Sequence, residues 1–336
     1  MPHHPSRRDA LRRIASASAA LASFSIARGA QAAAPQPTTW ADGLDHPWGL
    51  AFLPDGRALV TEKAGRLALI DAGGGAAKTR VSGVPEVHAR GQGGLLDVAV
   101  RPEGSDLMVY LTYAEAGSGA DAGRNGTAVA RARLAGEALR DVQVIFRQTP
   151  KASTNAHFGS RLVFDRDGLL FITLGDRQSA AERVKAQDLR THHGKVVRIR
   201  PDGSVPSDNP FVNTPGARPE IWSYGHRNVQ GAALHPATGE LWVSEHGPQG
   251  GDELNVVRKG RNYGWPRISY GCEYGAPVDR CEPVGGASSA EGLEQPVTYW
   301  VPTSMAPSGL CIYDGAMFPE WRGHAFIGAL RGEALW

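Results

Sequence analysis

The sequence predicts an all-β protein arranged as a β-propeller, and three observations carry that prediction. Glycine (42) and proline (23) together make up about a fifth of the 336 residues, a balance that favours many short strands joined by tight turns. Long Leu/Ala/Glu/Lys runs of the kind that build helical bundles are scarce after the first 34 residues. Finally, one phrase recurs along the chain: a small residue, an apolar strand, a turn containing Gly, and a second apolar strand. Phrases of this kind spaced by roughly 50–75 residues are the signature of decorated propeller blades.

The first phrase is WGLAFLPDGRALVTEKAGRLALID at 48–71, with an Asp-Gly turn between its first two strands. The second is LLDVAVRPEGSDLMVYLTYA, near 96–114, and the third SRLVFDRDGLLFITLGD, near 160–176. QGAALHPATGELWVSEHG follows near 230–247, and SGLCIYDGAMFPEWRGHAFIGAL near 308–330. The strand runs alternate or are wholly apolar, as sheets packed on both faces require. A two-sheet sandwich is the architectural rival, but it rarely repeats one hairpin phrase so often.

The N-terminus has a different character. Arg7 and Arg8 precede a weakly apolar run from 14 to 26, which closes on Arg28 and the small-residue tract GAQAAA. That order of parts predicts a twin-arginine export signal over 1–34, cleaved in a periplasmic product, with the propeller over 35–336. Residues 1–34 hold five Arg and one Asp, so the formal charge of +2 for the whole chain becomes −2 over 35–336. Nothing in that balance points to nucleic acid, and no other apolar run is long enough to cross a membrane.

Three cysteines remain. Cys272 and Cys281 lie in a polar, turn-rich stretch and are positioned to pair in an oxidising compartment. Cys311 sits in an apolar strand and is expected to be a buried thiol. No second C-x-x-C or His pair stands at zinc-ligand spacing.

Polar clusters punctuate the strands where propeller loops line a central mouth: RGQGG (90–94), NAHFGSR (155–161), GHRN (225–228) and the acidic loop 245–253. His157 is the candidate general base, since a neutral imidazole accepts a proton near neutral pH; a core histidine is the plainer alternative. Arg227, beside Asn228, has the planar, permanently charged donors that clamp a carboxylate or an oxyanion; its alternative is a surface ion pair. In HGPQGGDELN, Asp252 and Glu253 with the carbonyls of Gly247 and Pro248 offer hard oxygen donors suited to calcium. A solvated acidic turn is the competing reading of that loop.

The phrases GQGGLLDVAVRP, HFGSRLVFDRDGLLFITLGDR, GKVVRIRPDGSVPSDNPF, GHRNVQG, SEHGPQGGDELN, KGRNYGWP and FIGAL run in one order from about Trp48 onward. In them the chain resembles the soluble quinoprotein sugar dehydrogenases, above all the compact aldose sugar dehydrogenases that use pyrroloquinoline quinone (PQQ). The resemblance implies a six-bladed propeller with the quinone across the mouth of its central channel. It implies that His157 takes the proton of the anomeric hydroxyl while hydride passes to the quinone. Arg227 then has a part in catalysis and, with Gln92, Asn228, Tyr274 and the loop Arg331, Gly332 and Glu333, contacts the cofactor or the reacting oxygen. Gly247 and Pro248 match carbonyl ligands of a calcium that bridges to the quinone, and Glu253 and Tyr263 match a second calcium position. A strand pair with an arginine-containing phrase that follows in the family has no counterpart up to Trp336, so the last blade is expected to be incomplete in this chain. The implied activity is oxidation of the C1 hydroxyl of aldoses to lactones, with the electron acceptor unassigned. A calcium-dependent propeller lactonase and a non-catalytic propeller binding protein are the rivals.

Overall fold

The structure is a computed structural model that describes residues 35–277 and 280–336. The export-signal segment 1–34 and residues 278–279 lie outside the described residues. Of the segment Met1–Thr39, only 35–39 are described, exposed and without regular structure; the compact unit spans Trp40–Trp336.

Five antiparallel sheets follow one another along the chain. The first holds β1 (Pro47–Phe52), β2 (Ala58–Glu62), β3 (Arg66–Ile70) and β4 (Lys78–Val81). The second holds β5 (Leu95–Glu103), β6 (Asp106–Ala116), β7 (Asn125–Ala135) and β8 (Ala138–Arg147). In the third are β9 (Leu162–Phe164), β10 (Leu170–Leu174), β11 (Lys195–Ile199) and β12 (Ile221–Tyr224). The fourth contains β13 (Val229–Leu234), β14 (Leu241–Glu245), β15 (Asp252–Val257) and β16 (Thr298–Trp300). The fifth is three-stranded, with β17 (Pro307–Ile312), β18 (Ala325–Ala329) and β19 (Ala334–Leu335). The only α-helix among the described residues is the four-residue α1 (Ala180–Arg183), capped by the Ser179 side chain.

This is an all-β propeller with five blades among the described residues, which corrects the expectation of six. Each recurring phrase became the first hairpin of one blade, and five phrases make five blades. The sixth came from the resemblance alone and has no strands of its own here.

The first strands of successive blades lie beside one another, β1 by β5, β5 by β9, β9 by β13 and β13 by β17. The core sits between neighbouring blades. Leu59 and Leu67 of the first blade pack with Val98 and Leu111 of the second; Tyr110 and Val129 of the second pack with Ile172 and Val197 of the third. Phe171 and Val196 then meet Val229 and Val243, and Leu254 meets Met305 and Ile327. Strands such as β2 and β10 are therefore buried along their whole length, which explains why they are apolar apart from Thr61, Glu62 and Thr173. Each fully buried Leu, Ile or Val contributes about 1.5–3 kcal/mol.

One hydroxyl in each of the first four blades ties that blade to the next. Thr112 Oγ1 donates to Ser160 O (2.8 Å), Thr173 Oγ1 to Val229 O (3.0 Å) and Ser244 Oγ to Ser308 O (3.2 Å). Thr61 Oγ1 makes the same bond to Leu96 O. Each donor sits on the second strand of its blade, and each acceptor lies on, or just before, the first strand of the next. The same threonine oxygens accept the N–H groups of Gly49, Asp97 and Arg161, next to register shifts in β1 and β5. A buried hydroxyl in a Val-rich strand is thus both donor and acceptor, with no polar atom left over.

Candidate functional site

In an antiparallel blade, the segment entering the first strand and the segment leaving the second lie at the same end of the ring. That geometry gathers Gln92, His157 and Asn228, which precede first strands, with Lys63, Asp176 and His246, which follow second strands. All of these but the fully buried Asp176 line a cavity of about 330 Å³, together with Arg227 and Tyr274.

His157 is buried, and its Nδ1 lies 2.6 Å from Oδ1 of Asp176. The other Asp176 oxygen accepts the indole N–H of Trp265 at 2.7 Å, and Oδ1 also accepts the backbone N–H of Gln178 at 2.7 Å. Burial pushes the Asp176 carboxyl up, but the His157 hydrogen bond and the charges of His157 and Arg227 outweigh it and hold the group below its ordinary range. Burial lowers the His157 pKa, opposed by Asp176 and assisted by Arg227 and Arg177. The imidazole is therefore neutral at pH 7, with its proton on Nδ1 and Nε2 as the lone-pair nitrogen.

The backbone at His157 is left-handed (φ 49°). A Cβ at Gly175 would stand 2.1 Å from His157 O, so only glycine permits this approach of the two loops. The His157 N–H donates to Gln92 Oε1 at 2.8 Å, and the Gly159 N–H donates to Asn228 Oδ1 at 3.1 Å. Both amides thus spend their oxygens on shaping the His157 loop, which leaves their NH₂ ends for the cavity.

Arg227 is buried and lies with its guanidinium 5.3 Å from the Trp265 ring centre. Its Nη1 donates to His246 O (3.0 Å) and its Nη2 to the hydroxyl of Tyr274 (3.2 Å), while Nε has no partner. A buried guanidinium donor without a partner is costly unless a ligand meets it. Tyr274 stands at the rim, 63% exposed. Its loop is closed by the Cys272–Cys281 disulfide, with a Cα separation of 6.1 Å. Arg331, Gly332 and Glu333 form the exposed turn between β18 and β19; Leu330 before them lines the cavity, whereas the three themselves do not.

Gly247, Pro248, Glu253 and Tyr263, expected at two calcium positions, border one small chamber of about 10 Å³ together with Glu245, room for about one water or ion. Glu245 accepts from the Arg227 N–H (2.7 Å) and Asn255 Nδ2 (3.1 Å), and its Oε1 lies 3.0 Å from His226 Nδ1. Burial, with Glu245 alongside, pushes the Glu253 carboxyl up to about 8. Two carboxyls face this chamber, with Arg227 the one permanent cation in its lining, a donor set that suits a hard cation. Among the described residues no group of three or more His, Cys, Asp or Glu could hold a metal, so carbonyl oxygens would have to complete any ligand set.

The oxygens of this loop are unevenly committed, and one expectation is corrected beyond it. Asp252 is no free acidic donor: its carboxylate accepts from the Gly247, Met305 and Ala306 N–H groups and from the Ser304 hydroxyl. The Tyr263 hydroxyl is likewise spent, accepting from Arg258 N (2.8 Å) and donating to Val256 O (2.5 Å). Cys311, expected to be buried, is exposed, because it occupies the outward-facing position of β17 beside buried Ile312. Sequence reasoning missed Asp176, Trp265, Lys63 and His246. The signal for Asp176 was present: an acidic residue stands at or just past the end of the second strand in the first, third and fourth phrases, as Glu62, Asp176 and Glu245.

The propeller's entrance loops bring a buried His–Asp pair, an arginine and two amides to one end of the ring, and the comparisons place this arrangement among the sugar oxidoreductases. The chain belongs to the glucose/sorbosone dehydrogenase family, whose profile matches residues 44–336. It is 47% identical over 297 residues to the aldose sugar dehydrogenase YliI of Escherichia coli (strain K12), covering 87% of this chain and 77% of that one. The crystal structure of the soluble aldose sugar dehydrogenase of E. coli in its apo form superposes with a TM-score of 0.80 at 44% identity, covering 89% of this chain and 87% of that chain. The PQQ-bound aldose sugar dehydrogenase of Streptomyces coelicolor does so with a TM-score of 0.71 at 34% identity, covering 89% and 78%.

Proposed function

We propose that this chain is a calcium-assisted quinoprotein that oxidises the C1 hydroxyl of aldoses to lactones, with PQQ as its cofactor. The observation that carries the reading is the buried His157–Asp176 pair, whose Nε2 belongs to the same cavity as Arg227, Asn228 and Gln92. Asp176 fixes the tautomer, so His157 Nε2 accepts the proton of the anomeric hydroxyl. Arg227, with a donor to spare, clamps a carboxylate or the reacting oxygen. The NH₂ groups of Gln92 and Asn228 orient the bound molecules, Tyr274 covers the rim, and the turn at Arg331, Gly332 and Glu333 is read as a further contact. When bound, PQQ supplies the two-electron acceptor, and calcium offsets its carboxylates.

The residues fit both groups. Unpartnered Arg227 Nε suits an acidic cofactor, and the chamber at Gly247 and Pro248, with Glu253 beside it, suits one hard cation. Tyr263 would form a wall of that seat rather than a hydroxyl ligand. Residues 1–34 are read as a twin-arginine signal delivering the enzyme to the periplasm. This rests on Arg7-Arg8 and the small-residue end of the segment.

The test is reconstitution of the full chain with PQQ and calcium, followed by quinone absorbance and aldose-dependent dye reduction. Both are expected. Tight quinone binding without turnover of any aldose overturns the substrate, and absence of quinone binding overturns the cofactor.

A further inference from the structure

Arg177 follows Asp176 directly and is fully buried, with a left-handed backbone (φ 66°). Its Cζ lies 3.7 Å from the ring centre of Phe158, the residue after His157. Nη2 donates to Thr154 O (2.6 Å) and to Asn125 Oδ1, while the Thr154 hydroxyl donates back to Arg177 O (2.8 Å). Asn125 Nδ2 in turn donates to Asn155 Oδ1 (3.0 Å), and Asn155 O receives the Gln92 N–H (2.7 Å). One side chain therefore fastens both flanks of the loop that carries His157 to the loop that carries Asp176.

Packing alone does not explain an arginine here. Its Nε and Nη1 are buried without any partner, and burying a cation with unmet donors is destabilising where a neutral side chain of similar volume would not be. The charge is retained at a place where its neighbours are the two members of the proposed base pair.

We propose that Arg177 is a positioning residue for His157: a buried cation that pins the His157 loop against Asp176 and sets the charge around the imidazole. The proposal rests on the reading of His157 as the base. The charged groups facing the imidazole are Asp176, Arg227 and Arg177, with Lys63 and His246 lining the same cavity; Glu182 is the other acid acting on Arg177. Arg177 and Arg227 both disfavour the imidazolium, against Asp176, which favours it. Removing the Arg177 charge therefore raises the pH at which His157 protonates.

The test follows the His157 imidazole by NMR titration in the full chain without quinone, alongside the pH profile of kcat/KM in the reconstituted protein. In Arg177→Met the His157 midpoint is expected to rise, and the acid limb of kcat/KM to move with it. Arg177→Lys keeps the charge and is expected to hold the midpoint near that of the parent. A folded Arg177→Met with an unmoved midpoint overturns the proposal, as does an equal shift in both variants. Should Arg177→Met not fold, the lysine variant decides: an unmoved midpoint supports the charge role, and a raised one contradicts it. The titration needs no turnover, so it separates failure of this proposal from failure of the dehydrogenase reading.

Discussion

Asp176 joins His157 to Trp265: one carboxylate oxygen lies 2.6 Å from the imidazole Nδ1, and the other receives the indole N–H at 2.7 Å. The aspartate comes from the end of β10, the histidine from the loop before β9 and the tryptophan from a turn after β15. Three separate stretches of chain thus fix one imidazole, with its Nδ1 turned to the carboxylate.

Asp176→Asn keeps the shape but removes the charge that selects the tautomer. We expect kcat to fall by roughly 10²–10⁴-fold with quinone affinity little changed, measured by steady-state kinetics and quinone titration. Equal loss of affinity would make Asp176 a scaffold for the cavity instead.

Trp265→Phe deletes the indole donor and shrinks the ring against which Arg227 lies. The Asp176 oxygen then lacks a buried partner, at a cost of about 1–3 kcal/mol, to be read in denaturant unfolding and in a smaller loss of kcat than that of Asp176→Asn. An unchanged unfolding curve contradicts the link.

Stability should depend on pH in two opposed ways. The His157 pKa is lowered from 6.5 by folding, so the unfolded chain takes up this proton first and stability falls as pH drops below about 6.5. Glu253 is raised from 4.5 to about 8. The folded state therefore retains a proton that the unfolded chain releases, and stability falls as pH rises between those values. Calcium is expected to abolish the second trend and leave the first, as followed by thermal unfolding from pH 5 to 8 with and without the ion. Glu253→Gln should flatten the alkaline trend without calcium.

The blade-to-blade hydroxyls give a prediction about the fold itself. Thr173→Val is nearly isosteric but strands Val229 O and the Arg161 N–H, so a loss of about 1–3 kcal/mol is expected in urea unfolding. A change within experimental scatter would show those bonds to be replaceable by water.

Much of this was legible in the sequence because propeller strands buried on both faces leave a largely apolar signature. The five hairpin phrases located the five first hairpins of the blades, and the polar clusters before first strands located Gln92, His157 and Asn228. Long-range pairing was not legible. Asp176 and Trp265 are 89 residues apart, and nothing local to either announces that the carboxylate accepts the indole N–H. Burial state was also misjudged where a strand alternates: Cys311 lies in an apolar run, but the strand period turns it outward while Ile312 turns inward. The chamber at Gly247 and Pro248 likewise depends on which carboxyls are already satisfied, and the loop composition cannot distinguish spent Asp252 from half-buried Glu253.

The central claim is that His157 is the base of a quinone-dependent aldose oxidation, and the most direct measurement is turnover by His157→Ala reconstituted with PQQ and calcium. The account predicts quinone bound at near-parental affinity, with aldose-dependent dye reduction lowered by at least about 10²-fold. Turnover close to that of the parent, with the quinone in place, would contradict it.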